Sequence, residues 1–184
     1  MPSRPACNPV PTLTPPPKPL ASAEKIRAPS WLTAQVRQLK QEGKRIVFTN
    51  GCFDLLHVGH VTLLEHAKRL GDVLIVGLNS DRSVRALKGP RRPIVNQRDR
   101  ARVVAACASV DYVTVFDDRT PARLIAALVP DVLVKGADWS LSHVVGREIV
   151  RQHGGRIVRI PLVNGQSTSR LLARIAKCSR ARGS

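Results

Sequence analysis

"HVTLLEHAKRLGDVLIVGLN", residues 60–79, changes its period halfway along. As far as Gly71 the apolar residues fall at helical spacing. From Asp72 they run on almost without polar interruption. An amphipathic helix that stops at a glycine and feeds a fully apolar strand predicts a parallel sheet covered on both faces. The same alternation recurs on either side. "SWLTAQVRQLKQEG" predicts a helix from Ser30 as N-cap to a stop at Gly43, and "RIVFTN" (45–50) a short buried strand. Helices are expected over 97–108, 121–129, 143–154 and 168–177, and strands over 110–116, 131–136 and 155–161. Five such strands fit an α/β fold with a doubly wound, mainly parallel five-stranded sheet.

Composition narrows the partners. The chain has 184 residues, enough for one domain and a sizeable core. Hydrophobic residues make up 43% but aromatics only 3%, so the core must be aliphatic. The net charge of +17 suits a polyanion or small phosphorylated substrates. A basic nucleic-acid-binding module is the rival from another class. The shortage of aromatics speaks against single-strand stacking, and no helix-turn-helix or RNA-binding signature is visible. Cys7, Cys52, Cys107 and Cys178 are scattered and read as reduced thiols of a cytoplasmic protein. No apolar run reaches 18 residues, so no membrane span is expected.

The ends differ from the body. Residues 1–29 hold nine of the 14 prolines and are expected to form a disordered or polyproline arm without the apolar stretch of a secretory signal. The domain is expected over 30–177, with a basic tail over 178–184.

Ligands of doubly wound sheets bind beyond the carboxyl ends of the strands. Four polar clusters fall there: Thr49-Asn50-Gly51, Asn79-Ser80-Asp81, Lys135-Gly136-Ala137-Asp138 and Asn164 to Ser169. We read one site built from several strands. His57 and His60 stand in it, at the mouth of a strand-to-helix turn. Three readings apply: ordinary turn and cap residues, a metal site with Cys52, or a phosphate site. Zinc wants four tetrahedral ligands or three plus water, which the local chain does not supply. For phosphate, Gly59 would let the backbone pass close to a ligand, and the helix beginning near His60 would point free N–H groups outward. A second helix opens after Ser167-Thr168-Ser169, so two N-termini at one edge suit a polyphosphate.

"GCFDLLHVGHVTLLEHAKRLGD" carries the H-x-G-H signature of the nucleotidyltransferase superfamily. With "LIVGLNSDRSVRALKGPRRPI", "VDYVTVFDDRTP", "PDVLVKGADW" and "GQSTSRLL", the chain resembles the adenylyltransferase domain of the bacterial heptose 1-phosphate enzymes. The resemblance covers roughly residues 30–177 and implies a Rossmann-like nucleotidyltransferase fold. It also implies a reaction in which a sugar 1-phosphate attacks the α-phosphorus of a nucleoside triphosphate and pyrophosphate leaves. By the family's pattern His57 and His60 hold the triphosphate, and Ser167, Thr168 and Ser169 bind its outer phosphates. Thr49, Asn50, Gly51 and Phe53 line the start of the site with Gly59; Lys135, Gly136 and Asp138 border the nucleotide. Lys88 reaches the phosphates, and Asn79, Asp81, Lys88 and Arg91 are expected toward the sugar phosphate.

Each residue has a plainer alternative. Lys88, Arg91 and Arg92 read equally as a solvated basic loop, Asp81 as a helix cap, Asp54 as support for its turn, and Arg98 and Arg102 as a surface face. Trp31 is expected to pack the first helix, and Trp139 to touch the base. Mg2+ is expected on the nucleotide rather than in a protein cage. Leu162 stands where cytidylyltransferases often carry an arginine, which favours ATP over CTP. The resemblance further implies a homodimer, and a separate sugar kinase to supply the sugar 1-phosphate.

Overall fold

The structure, a computed structural model, describes residues 20–137, 140–161, 163 and 165–180. The helices are α1 (Pro29–Gln41), α2 (Val58–Lys68), α3 (Asp81–Lys88), α4 (Gln97–Ala105), α5 (Ala122–Leu128), α6 (Arg147–Gln152) and α7 (Thr168–Arg180). The strands are β1 (Ile46–Gly51), β2 (Val73–Asn79), β3 (Tyr112–Phe116), β4 (Val132–Gly136) and β5 (Arg156–Ile160). They form one all-parallel sheet in the order β3-β2-β1-β4-β5. From β1 the chain winds outward through β2 to β3, then crosses back to lay β4 on the other side of β1. The order reverses at β1 and β4, and there the carboxyl ends part to leave a crevice.

Successive strand residues face opposite layers. Val47, Leu74 and Val134 pack beneath α2 and α4 with Leu64, Ala67 and Val104. Phe48, Ile75 and Leu133 pack against α1, α5 and α6 with Leu32, Ile125 and Val150. Both layers are mainly aliphatic, with Phe53 in the first and Phe48 and Phe116 in the second. Leu64 is fully buried, and truncating such a side chain to alanine costs about 2–5 kcal/mol.

The element edges differ from the sequence reading in ways that matter. Helix α2 starts at Val58, two residues before His60, so His57 is its N-cap and His60 lies in its first turn. Helix α1 starts at Pro29, and Ser30 is not its cap; Ala28 holds that place without a side-chain bond. The polar run Asp81–Lys88 forms a helix, capped by the Ser80 side chain, which accepts the Ser83 N–H at 3.1 Å. Helix α6 is shorter than expected because Gly146, at φ +84°, breaks it from a 3-10 turn over Leu141–His143. Helix α7 runs on through Arg180, into the stretch read as a tail.

The chain is also pinned to the sheet before Ser30. Val113 on edge strand β3 donates its N–H to the Lys25 carbonyl and accepts the Arg27 N–H, both at 2.9 Å. Lys25 Nζ donates to the Val110 carbonyl at 2.8 Å. The Arg27 guanidinium lies 4.7 Å above the Trp31 ring, which is itself 5.6 Å from Tyr112. Residues 25–27 thereby cover an edge that would otherwise offer bare backbone groups. Residues 1–19 and 181–184 of the expected arm and tail lie outside the described residues. No helix among the described residues is long and apolar enough to cross a membrane.

Candidate active site

Beyond β1 the chain turns through Gly51 and Phe53. A Cβ at Gly51 would come within 3.1 Å of the Phe53 ring, which would have to give by a few tenths of an ångström. Phe53 has φ +44°, a left-handed conformation that costs a side-chain-bearing residue about 1–3 kcal/mol. Its ring is buried in the core and therefore carries the site from below rather than lining it. Asp54, next in sequence, is buried as well. Its carboxylate accepts the N–H groups of Ile94, at 2.9 and 3.1 Å, and of Val95, at 3.0 Å. Arg92 Nη2 lies 2.7 Å from its Oδ2. Asp54 thus ties the loop after α3 to the loop before α2, a supporting role.

The two imidazoles are stacked, with ring centroids 3.8 Å apart and planes 25° from parallel. Phe53 tilts against His60 at 5.0 Å. Both Nδ1 atoms are buried and have no hydrogen-bond partner. Burial pushes His57 below its ordinary value. It takes His60 from 6.5 to about 4, helped by the charges of His57 and Lys88 and opposed by Asp54. The pair is therefore neutral at pH 7, each ring offering one N–H donor and one lone pair. His57 gives α2 no side-chain cap, which leaves first-turn N–H groups and the positive end of the helix open to an anion.

Gly59 leaves space on the protein's own side of the turn. A Cβ there would lie 3.1 Å from the His57 ring and 3.6 Å from Gln166 Cβ. The missing side chain makes room for the His57 ring. It also lets the Gln166–Ser169 segment close on the H-x-G-H turn. Ser167 caps α7, its hydroxyl accepting the Arg170 N–H at 3.2 Å, and Thr168 and Ser169 open the first turn. The N-termini of α2 and α7 therefore meet at one place. Between β1 and β4, Lys135 Nζ donates to the Asn50 side-chain oxygen and, at 3.3 Å, to its carbonyl. This joins Asn50, Lys135 and Gly136 at the switch point. Lys88 stands exposed at the end of α3, close enough for its charge to act on His60.

Other expected site residues have partners inside the protein. Thr49 is fully buried and donates its hydroxyl to the Val134 carbonyl at 3.1 Å. Asn79 is buried and donates to Ser83 Oγ at 2.9 Å. Asp81 accepts from Arg100 Nη2 at 2.7 Å. These side chains brace the edge through partners within the protein. Arg91 is exposed, as are Arg98 and Arg102. Asp138 and Trp139, and Leu162 and Asn164, lie outside the described residues.

Sequence reasoning missed Arg100. It is 1% exposed, and besides Asp81 it donates to the carbonyls of Val95, at 2.9 Å, and Cys52. One guanidinium so fastens three loops of the edge. The signal was present: helical spacing turns Arg98 and Arg102 outward and puts Arg100 on the face of Ala101 and Val104. Among the described residues no group of three His, Cys, Asp or Glu side chains gathers as a metal site.

Neutral donors and two helix N-termini at the switch point of an all-parallel sheet define a Rossmann-like α/β domain shaped to hold anions. The chain belongs to the cytidylyltransferase-like family, whose model matches residues 48–163. It is 52% identical over 151 residues to the Bifunctional protein HldE of Syntrophotalea carbinolica, covering 82% of this chain and 31% of that protein. It is 54% identical over 154 residues to the Bifunctional protein HldE of Koribacter versatilis, covering 84% of this chain and 32% of that protein. The chain thus spans about a third of the length of these relatives. Among solved structures it is similar in fold to the lipopolysaccharide core biosynthesis protein from Thermoplasma volcanium. The TM-score is 0.55 at 23% identity, over 67% of this chain and 100% of that one. Pantoate-beta-alanine ligase from Francisella tularensis also gives a TM-score of 0.55, at 16% identity, over 78% of this chain and 68% of that one.

Proposed function

We propose that the protein transfers AMP from ATP to a sugar 1-phosphate, D-glycero-β-D-manno-heptose 1-phosphate, giving ADP-heptose and pyrophosphate. The observation that carries this reading is the meeting of α2 and α7 at Gly59 and Gln166, with two neutral, unpartnered imidazoles beside it. The family and the HldE relatives support nucleotidyl transfer, and the motifs "LKGPRRP" and "VLVKGADW" support the sugar phosphate.

An oxygen of the acceptor's phosphate bonds to the α-phosphorus while the bond from that phosphorus to the bridging oxygen of pyrophosphate breaks. The acceptor is already largely ionised, its second pKa being about 6, so no general base is required. The barrier lies in bringing two anions together and spreading their charge, which is work for fixed donors. His57 and His60 donate to the triphosphate and stabilise the charge passing to the leaving group. Ser167, Thr168 and Ser169 hold the outer phosphates at the start of α7. Asn50, Gly51, Lys135, Gly136 and Asp138 border the nucleotide, and Lys88 faces the reacting phosphates. Mg2+ fits as a passenger of the nucleotide, because the Asp54 oxygens already accept the Ile94 and Val95 amides and Asp81 is paired with Arg100; bound there, it would neutralise phosphate charge.

On this reading the enzyme works in the cytoplasm as a homodimer, uses a sugar 1-phosphate made by a sugar kinase, and takes neither membrane nor nucleic acid as partner. The test is a matrix of nucleoside triphosphates against sugar 1-phosphates, scored by pyrophosphate release. ATP with the heptose phosphate should lead, and CTP should trail by at least about tenfold in kcat/KM, roughly 1.4 kcal/mol. A preference for CTP would discard adenylyl transfer. Release without any sugar phosphate would discard the acceptor class.

A further inference from the structure

The loop between α3 and α4 carries two adjacent arginines in opposite circumstances. Arg91 is exposed. The Arg92 side chain is 12% exposed, against an Asp54 side chain that is 1% exposed. Although Arg92 Nη2 lies 2.7 Å from Asp54 Oδ2, neither Nη2 nor Nε has a hydrogen-bond acceptor, and both atoms are buried. The contact is therefore one of charges, with the N–H bonds not aligned on the oxygen. The reason lies in Asp54, whose two oxygens already receive the amides of Ile94 and Val95.

Nε and Nη2 form the side edge of the guanidinium. Their N–H groups run parallel at the spacing of two oxygens on a phosphate or carboxylate. A buried guanidinium edge whose Nε has no acceptor and whose Nη2 meets Asp54 only as a charge is costly to keep, and it is satisfied by turning toward an anion. Arg100 shows the alternative: with a side chain fully buried, it spends Nε, Nη1 and Nη2 on protein oxygens and has a structural role. Arg92 also stands at the reacting end of the sheet, since its partner Asp54 acts on His60, as does Lys88.

We propose that Arg92, rather than Arg91, receives the phosphate of the acceptor, exchanging its charge contact with Asp54 for two phosphate oxygens beside the triphosphate. This rests on the transfer reading above and adds the residue that selects a phosphorylated acceptor. A guanidinium in this place favours a terminal phosphate monoester over a neutral sugar hydroxyl.

Steady-state kinetics with ATP and the heptose 1-phosphate give one test. Arg92→Gln should raise the acceptor KM by about tenfold or more while the ATP KM stays within about twofold. Arg92→Lys, which keeps the charge but loses the fork, should fall between it and the parent. A larger effect from Arg91→Gln than from Arg92→Gln, or a parallel rise in both KM values, would overturn the assignment. The second test needs neither turnover nor a variant. The Arg92 Nε–H resonance of the unmodified protein is followed by NMR while inorganic phosphate is added. A saturable shift is expected; a resonance indifferent to phosphate removes the proposal. If it shifts while no nucleotide and sugar phosphate pair releases pyrophosphate, the transfer reading fails and the anion site stands.

Discussion

Two groups of buried polar side chains share the carboxyl edge of the sheet, and they are treated in opposite ways. Around Arg100 the donors and acceptors close on one another: Arg100 binds Asp81, Val95 and Cys52, while Asn79 binds Ser83. A few residues away, His57 and His60 stack with both Nδ1 atoms buried and unpartnered. Satisfied polar networks stiffen a fold, and unsatisfied buried groups mark what the fold has been shaped to receive. The first group holds three loops in position. The second is what they hold in position.

That contrast predicts where stability and activity separate. The largest effect on stability should come from Arg100→Met, which leaves the Asp81 carboxylate and two carbonyls without their donor. Loss of one partner of a buried pair costs about 3–5 kcal/mol, so denaturant unfolding should shift by that amount. A variant as stable as the parent would show that the network is ornamental. His57→Ala and His60→Ala should do the reverse. Removing a fixed donor to developing charge lowers kcat by about 10²–10³, while the melting temperature should not fall. Near-normal turnover in either variant would refute the role given to that histidine.

The pH dependence of stability sharpens the comparison. His60 titrates near 4 in the fold against an ordinary 6.5, so between those values the unfolded chain binds the extra proton. Stability should therefore be complete above pH 6.5 and fall as pH drops toward 4, by up to about 3 kcal/mol from this residue. In His60→Ala that part of the slope should vanish, and an unchanged slope would place the lost stability elsewhere. The smallest effect concerns Thr114, whose fully buried hydroxyl has no partner. It lies on the strand face of Tyr112 and Phe116, in the core layer against α1, so Thr114→Val should stabilise by up to about 1 kcal/mol with activity unchanged. Lost activity with a normal melting curve would mean that this hydroxyl belongs to the site after all.

Much of this was legible in the chain. The apolar runs at Val73–Asn79 and Val132–Gly136 announced a parallel sheet, and the rule for such sheets placed the loops after them at one edge. What stayed hidden was non-local or lacked a period. Asp81–Lys88 forms a helix without apolar spacing, held instead by the Ser80 cap and the buried Val84. Thr49 and Asn79 stand among site-like neighbours, yet their partners lie in another strand and in the next helix. At Gly59 no local pattern reveals that the His57 ring lies where a side chain would stand. The first described residues looked like part of an arm because Lys25 and Arg27 bond to β3, more than 80 residues away.

The central claim is that the histidine pair is uncharged and vacant of partners until a triphosphate supplies both charge and acceptors. The direct measurement is an NMR titration of the His60 ring nitrogens, without nucleotide and with saturating ATP. The account predicts a midpoint near 4 in the free protein and an upward displacement with ATP, because nearby phosphate charge favours the imidazolium. A His60 that titrates at its ordinary value in the free protein, or one whose midpoint ATP leaves in place, would contradict it.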